Sequence, residues 1–152
     1  MKINKYGIAF LALFIGLVVA GMPRIKPAHA EPVVEFEIIN KYWGTYANPT
    51  SPSPGDENVP YTIVIRQMSG YKLRSIIGEL QLIYPFEDHY DGDNISTTSA
   101  TLLDEEEGDL KEYGRFYFTF YLDIDRNGTR GTYQVTLNIS YIVYNGTAWE
   151  PG

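Results

Sequence analysis

Hydrophobic and polar residues alternate one for one along several stretches of this chain, most regularly near its end. In Arg115 to Ile124, Phe116, Phe118, Phe120, Leu122 and Ile124 share one face, while Arg115, Tyr117, Thr119, Tyr121 and Asp123 share the other. In Thr132 to Tyr144, Tyr133, Val135, Leu137, Ile139, Tyr141 and Val143 alternate with Gln134, Thr136, Asn138 and Ser140. A period of two marks a strand with one buried and one wet face. Asp125 to Gly131 lies between them and carries the turn pair Asn127-Gly128, so the two segments read as a hairpin.

Weaker alternation precedes them. Val34, Phe36 and Ile38 predict a first strand. Lys41 to Gly55 carries Pro49, Pro52 and Pro54 and reads as a loop, because proline gives a sheet ladder no donor. After Pro60, Tyr61, Ile63 and Ile65 oppose Thr62, Val64 and Arg66. Ser69-Gly70 marks a turn, and Leu80, Leu82 and Tyr84 line a third strand that Pro85 stops. Glu87 to Asn94 is an acidic loop, Ile95 to Leu103 a weaker Ser/Thr-rich strand, and Asp104 to Gly114 an acidic connection. Outside the first thirty residues no helical period persists over three turns. The expectation is an all-β, antiparallel sandwich of about six strands.

The first thirty residues follow a different pattern. Lys2 and Lys5 precede an uncharged run from Gly7 to Met22, Pro23 ends it, and Ala28-His29-Ala30 follows. This is the layout of a secretory signal with a small-x-small cleavage triplet. The run has 16 residues, short of the ~20 that a spanning helix needs. The expected division is therefore a signal peptide over 1–30 and one domain over 31–152, exported to the cell surface or beyond. No later segment is apolar enough to predict a membrane span.

Export changes the charge balance. Four of the 12 basic residues lie before the cleavage site and none of the 19 acidic ones does, which leaves eight against nineteen, a net −11. Nucleic acid needs a basic face, so it is not an expected partner. Cysteine is absent, which removes disulfides, thiolate metal sites and cysteine nucleophiles and leaves stability to packing.

Gly131-Thr132-Tyr133-Gln134-Val135 resembles the start of strand F in immunoglobulin-like domains. There a tyrosine hydroxyl bonds back to the preceding turn and locks the corner. The resemblance assigns that corner to Gly131 and Tyr133. Tyr42-Trp43-Gly44, Pro54 to Pro60, Tyr61 to Arg66, and Leu122-Asp123-Ile124 followed by Gly131-Thr132-Tyr133 are together similar to a repeat of archaeal surface-layer-like proteins. That resemblance implies an immunoglobulin-like sandwich displayed outside the cell, and it speaks to fold and location rather than to activity.

Candidate chemistry is sparse. Asn94, Asn127, Asn138 and Asn145 each begin an Asn-x-Ser/Thr sequon, the acceptor for N-glycosylation in exported proteins. Asp123-Ile124-Asp125-Arg126-Asn127-Gly128 matches the first half of a calcium loop, but Gln134 stands where the closing glutamate belongs, so a turn is expected and no metal. His89 is the one histidine left after cleavage, which gives neither a triad nor a two-histidine site. No cofactor motif is present. The expected function is a non-enzymatic structural or interaction component of an archaeal envelope or surface layer. The alternative is a carbohydrate- or ligand-binding module that uses Trp43, Trp149, Tyr42, Tyr46 and Tyr144 as stacking faces. Only eight residues follow Tyr144, too few for a predicted seventh strand. The last strand should then present an open edge to neighbouring subunits or other surface proteins.

N-terminal sequencing of exported protein should give Glu31 as its first residue; a start at Met1 or Gly7 overturns the cleaved-signal reading.

Overall fold

A computed structural model describes residues 32–152; the signal peptide expected over 1–30 lies outside the described residues. The elements in chain order are β1 (Phe36–Thr45), β2 (Asn48–Pro49), β3 (Val59–Gln67), β4 (Lys72–Gln81), β5 (Phe86–Asp88), β6 (Ile95–Ser99), β7 (Thr101–Leu102), β8 (Glu105–Glu106), β9 (Asp109–Leu110), β10 (Arg115–Ile124), β11 (Thr136–Tyr144) and β12 (Trp149–Pro151). They form two antiparallel sheets in an all-β sandwich. One sheet runs β2-β1-β3-β10-β5, with β7 also on β10; the other runs β12-β11-β4-β9-β8, with β6 also on β4. Pro32–Gly152 forms one compact unit. Among the described residues no helix is long and apolar enough to cross a membrane.

The core follows from the alternation of β10. Phe116, Phe118 and Phe120 are 0–1% exposed and Leu122 is 2% exposed. Their rings form a column, 5.5 Å between Phe116 and Phe118 and 5.9 Å between Phe118 and Phe120. Each fully buried ring contributes about 1.5–3 kcal/mol of transfer free energy. Leu73, Ile76, Leu80 and Leu110 meet the column from the second sheet. Phe118 packs onto bare backbone: a β-carbon at Gly78 would sit 2.9 Å from its ring.

Several expectations change. The six expected strands are present as β1, β3, β4, β6, β10 and β11; among the described residues six further strands of two or three residues, shorter than any alternation signal, join them. The expected loop over Lys41 to Gly55 begins as strand, since β1 continues to Thr45 and folds back into β2. Gly44 permits this with φ +107 and Asn48 O 2.3 Å from where its β-carbon would be. Pro49 is tolerated because β2 is an outermost strand and its missing N–H faces no ladder. The hairpin tip lies over the outer face of its sheet: Tyr46 stacks on Tyr117 at 4.8 Å and Thr62 Oγ1 donates to Gly44 O at 2.7 Å. Both faces of β3 are therefore buried in mid-strand, with Thr62, Ile63, Val64 and Ile65 at most 5% exposed.

The third strand starts at Lys72, well before the predicted Leu80. A bulge hid its first half. Ser75 has φ +51, and the register on β11 moves from Ile77 to Arg74 while β11 advances only from Ser140 to Ile142. Buried positions thus switch phase from Leu73 to Ile76, Gly78 and Leu80, which no single period of two describes. Tyr84, expected to face inward, is exposed. The predicted acidic loop from Glu87 to Asn94 yields β5, and the strand over Ile95 to Leu103 divides between the sheets as β6 and β7.

The predicted hairpin of the last two long strands does not form. β10 pairs with β3, β5 and β7, whereas β11 pairs with β4 and β12. The connection crosses from one sheet to the other, and Thr132 to Val135 belong to that crossing rather than to a strand. Alternation says that each strand has an inner face, but not which sheet it joins.

Surface loops are tied by polar contacts. Gln67 Nε2 donates to Tyr71 O at 2.7 Å and to Lys111 O at 2.6 Å, and Ser69 Oγ donates to Gln67 Oε1 at 2.7 Å. Arg115 grips Asp104 through its guanidinium and its backbone N–H, and holds that carboxyl down at about 2.

Gly78→Ala should cost about 1–3 kcal/mol through overpacking against an immobile ring. Equal urea midpoints for the two proteins would show that the sheets can move apart there.

Candidate functional site

The crossing between the sheets is built from backbone turns. Asp125 Oδ1 accepts from Asn127 N–H at 2.7 Å, and Gly128 N–H donates to Asp125 O at 2.8 Å. Gly128 must lack a side chain, since its β-carbon would lie 2.8 Å from Pro85 and 2.9 Å from Asp125 O. The chain then passes Thr129, whose carbonyl accepts the Tyr133 hydroxyl at 2.5 Å. Tyr133 is half-buried and meets Phe86 edge-on at 5.1 Å. Gly131, the other sequence candidate at this corner, has only the Tyr133 ring near its β-carbon position, at 3.8 Å. The glycine that the turn requires is Gly128, which sequence reasoning noted only as half of Asn127-Gly128.

This corner roofs an apolar bowl of about 380 Å³ at one end of the sandwich. Its aromatic walls are Trp43, Tyr61, Phe86 and Tyr133, with Trp43 4.9 Å from Tyr61 and 5.6 Å from Phe86. Burial raises the Tyr61 phenol above its ordinary range. Lys41 and Arg130 line the bowl, and no carboxylate does.

A second cavity of about 460 Å³ continues from it along the seam between β1 and β11. The two share Lys41, Tyr61, Leu80 and Val135. Leu137 and Ile139 form the β11 lip of the seam, facing Phe36 and Ile38 of β1. These inward residues of β11 are only half-buried, while Val143 further along the same face is fully buried. The seam closes where Phe36 meets Tyr141 edge-on at 5.4 Å.

Burial on β11 follows the cover on its outer side. β12 pairs with Ile142, Val143 and Tyr144 alone, and Gly152 N–H donates to Tyr141 O at 3.1 Å. This short strand corrects the expectation that no seventh strand follows Tyr144. Among the described residues, Thr136 to Ser140 have no ladder partner on that side. β11 also contains no charged residue and no proline.

The remaining candidates are spread over the surface. Asn94, Asn127 and Asn138 are exposed; Asn145 is half-buried, and its Oδ1 accepts from Thr147 and Ala148 N–H at 2.9 Å each. Asp123 Oδ1 bonds His89 Nδ1 and Asn58 N–H at 2.7 Å each, away from the Asp125 turn. Among the described residues no group of three or more His, Cys, Asp or Glu side chains is arranged to hold a metal. Trp149 has the Arg74 guanidinium 3.7 Å over its ring, and Trp43 packs against Tyr61 and Phe86 in the bowl wall. No family model, curated protein or solved structure matches the chain.

Tyr133→Phe removes one hydroxyl from a half-buried bond and should lower stability by about 1 kcal/mol. Coincident denaturation curves would show that the bond to Thr129 contributes nothing net.

Proposed function

We propose that this protein is an exported, non-enzymatic domain of a cell envelope, a structural or interaction component that takes a further strand along β11. The observation that carries the proposal is that, among the described residues, Thr136 to Ser140 have no outer ladder partner above an apolar seam. An uncharged, proline-free edge is a template for strand addition, and proteins that avoid it place lysine, proline or bulges there. Strand addition supplies affinity through main-chain bonds and specificity through alternate side chains, and it requires no catalytic group.

The finer fold reading supports the same view. Strand order β1-β3-β10-β7 against β12-β11-β4-β6 supports reading A-B-E-D against G-F-C-C′ of an immunoglobulin-like sandwich, with β12 as a shortened G. Tyr133 then occupies the strand F corner. The segments that resemble the archaeal surface-layer repeat lie at the end of β1, the approach to β3 and the crossing into β11. They support surface display, as does the sequence of the first thirty residues.

Thr136→Lys places a charge on the bare edge and leaves every sequon intact. In the cells that make this protein, the substitution should move most of it from the envelope fraction to the medium. Unchanged retention, with the protein folded, overturns the proposal.

A further inference from the structure

We infer that an open cup on the outer face of the first sheet binds a neutral sugar ring, as found in an uncharged polysaccharide. The cup lies on the sheet that does not contain β11, so it is independent of the strand-addition reading.

Register places the cup. Across β1, β3 and β10, Asn40 pairs with Val64 and Val64 with Tyr117. Two residues along on the same face, Tyr42 pairs with Thr62 on one side, and Arg66 with Arg115 on the other. Asn40 reaches this face through the register break after Ile38. Ile38 pairs with Ile65, and Asn40 rather than Ile39 pairs with Val64. A bulge re-aims a side chain in this way, and bulges are over-represented next to active sites. The extra residue, Ile39, stays 39% exposed at the rim.

The β1–β2 hairpin supplies another wall. Folded back over its own sheet, it brings Tyr46 and Pro49 to the cup, which encloses about 620 Å³, a volume in the range of small-ligand sites. The stack on Tyr117, with planes 15° apart, fixes the Tyr46 ring, yet Tyr46 remains 46% exposed. Val64 and Leu103 add apolar surface.

The polar groups hold spare donors in fixed positions. Arg115 donates to Asp104 from Nε at 2.8 Å and from Nη2 at 3.2 Å, which immobilises the guanidinium and offsets its charge. Among the described residues its Nη1 has no acceptor. Asn40 Oδ1 accepts from Lys41 N–H at 2.9 Å, and among the described residues its Nδ2 is unbonded.

This combination fits a molecule with an apolar face and a hydroxyl edge. A pyranose ring has both: its C–H face covers aromatic or aliphatic surface, and its hydroxyls accept from N–H donors. Charge selects against acidic sugars, because Arg115 is already matched by Asp104 and the chain carries a net −7 that repels a polyanion. Of the aromatic residues that the sequence offers for stacking, Tyr42 and Tyr46 meet here, whereas Trp43 packs with Phe86 and Trp149 with Tyr144.

Affinity electrophoresis of the exported protein in native gels tests the inference. Dextran, mannan and galactan are the neutral probes, and polygalacturonate is the acidic one. At least one neutral probe should retard the protein, and polygalacturonate should not. Asn40→Ala, at an exposed side chain, and Tyr46→Ala should each weaken that binding roughly fivefold or more. Thr97→Ala, on the other sheet, should leave it unchanged. Urea unfolding establishes that each variant is folded, and if Tyr46→Ala is not, Asn40→Ala decides alone. The inference is overturned if no neutral probe retards the protein, if polygalacturonate retards it as strongly, or if folded Asn40→Ala is retarded undiminished.

Discussion

The contact between Phe118 and the backbone of Gly78 sets the approach of the two sheets. The ring lies where a β-carbon of residue 78 would stand, so the second sheet meets the aromatic column of β10 with no side chain between them. Phe116 and Phe120 extend the column on either side of that contact, and Leu73, Leu80 and Leu110 close around it. A chain without cysteine depends on such packing. The bulge at Ser75 fits the same geometry, because it re-phases β4 so that Leu73 and Ile76 both turn inward.

Polar groups near the core are accounted for. Among the described residues no buried side-chain nitrogen or oxygen lacks a partner. Gln67 joins three segments around one buried amide, and Thr62 spends its hydroxyl on the carbonyl of Gly44. Closure of this kind costs little once both partners are in place, whereas an orphaned buried group costs about 1–3 kcal/mol. The interior is thus complete except along one seam.

The contrast between edges gives that seam its meaning. β1 carries Glu37 and Lys41 and a register break after Ile38; β2 carries Pro49; β8 is two glutamates. β6 is uncharged, but it turns Ser96 and Thr98 inward. Among the described residues, β11 combines an uncharged edge with two apolar side chains, Leu137 and Ile139, left half in water. Among the described residues, β12 pairs with Ile142 to Tyr144, and Leu137 and Ile139, beyond that pairing, are half-exposed.

The sequence by itself determined the all-β class, the inward faces of β10 and β11 and the role of packing in a cysteine-free chain. Side-chain period and residue chemistry are local, so Phe116 to Ile124 and Leu137 to Val143 could be read directly. Tyr133 was legible because a corner bond spans only four residues. What only the tertiary structure decided is non-local. The pairing of β10 with β3 rather than β11 depends on which surfaces meet, and the same alternation serves either sheet. Leu73 was obscured by a bulge that costs the pattern its phase. The bowl joins Trp43, Phe86 and Tyr133 from three separate segments, and the bare stretch of β11 is defined by how far β12 reaches along it. Period and composition carry no information about either, because both are set by distances between parts of the chain that are remote in sequence.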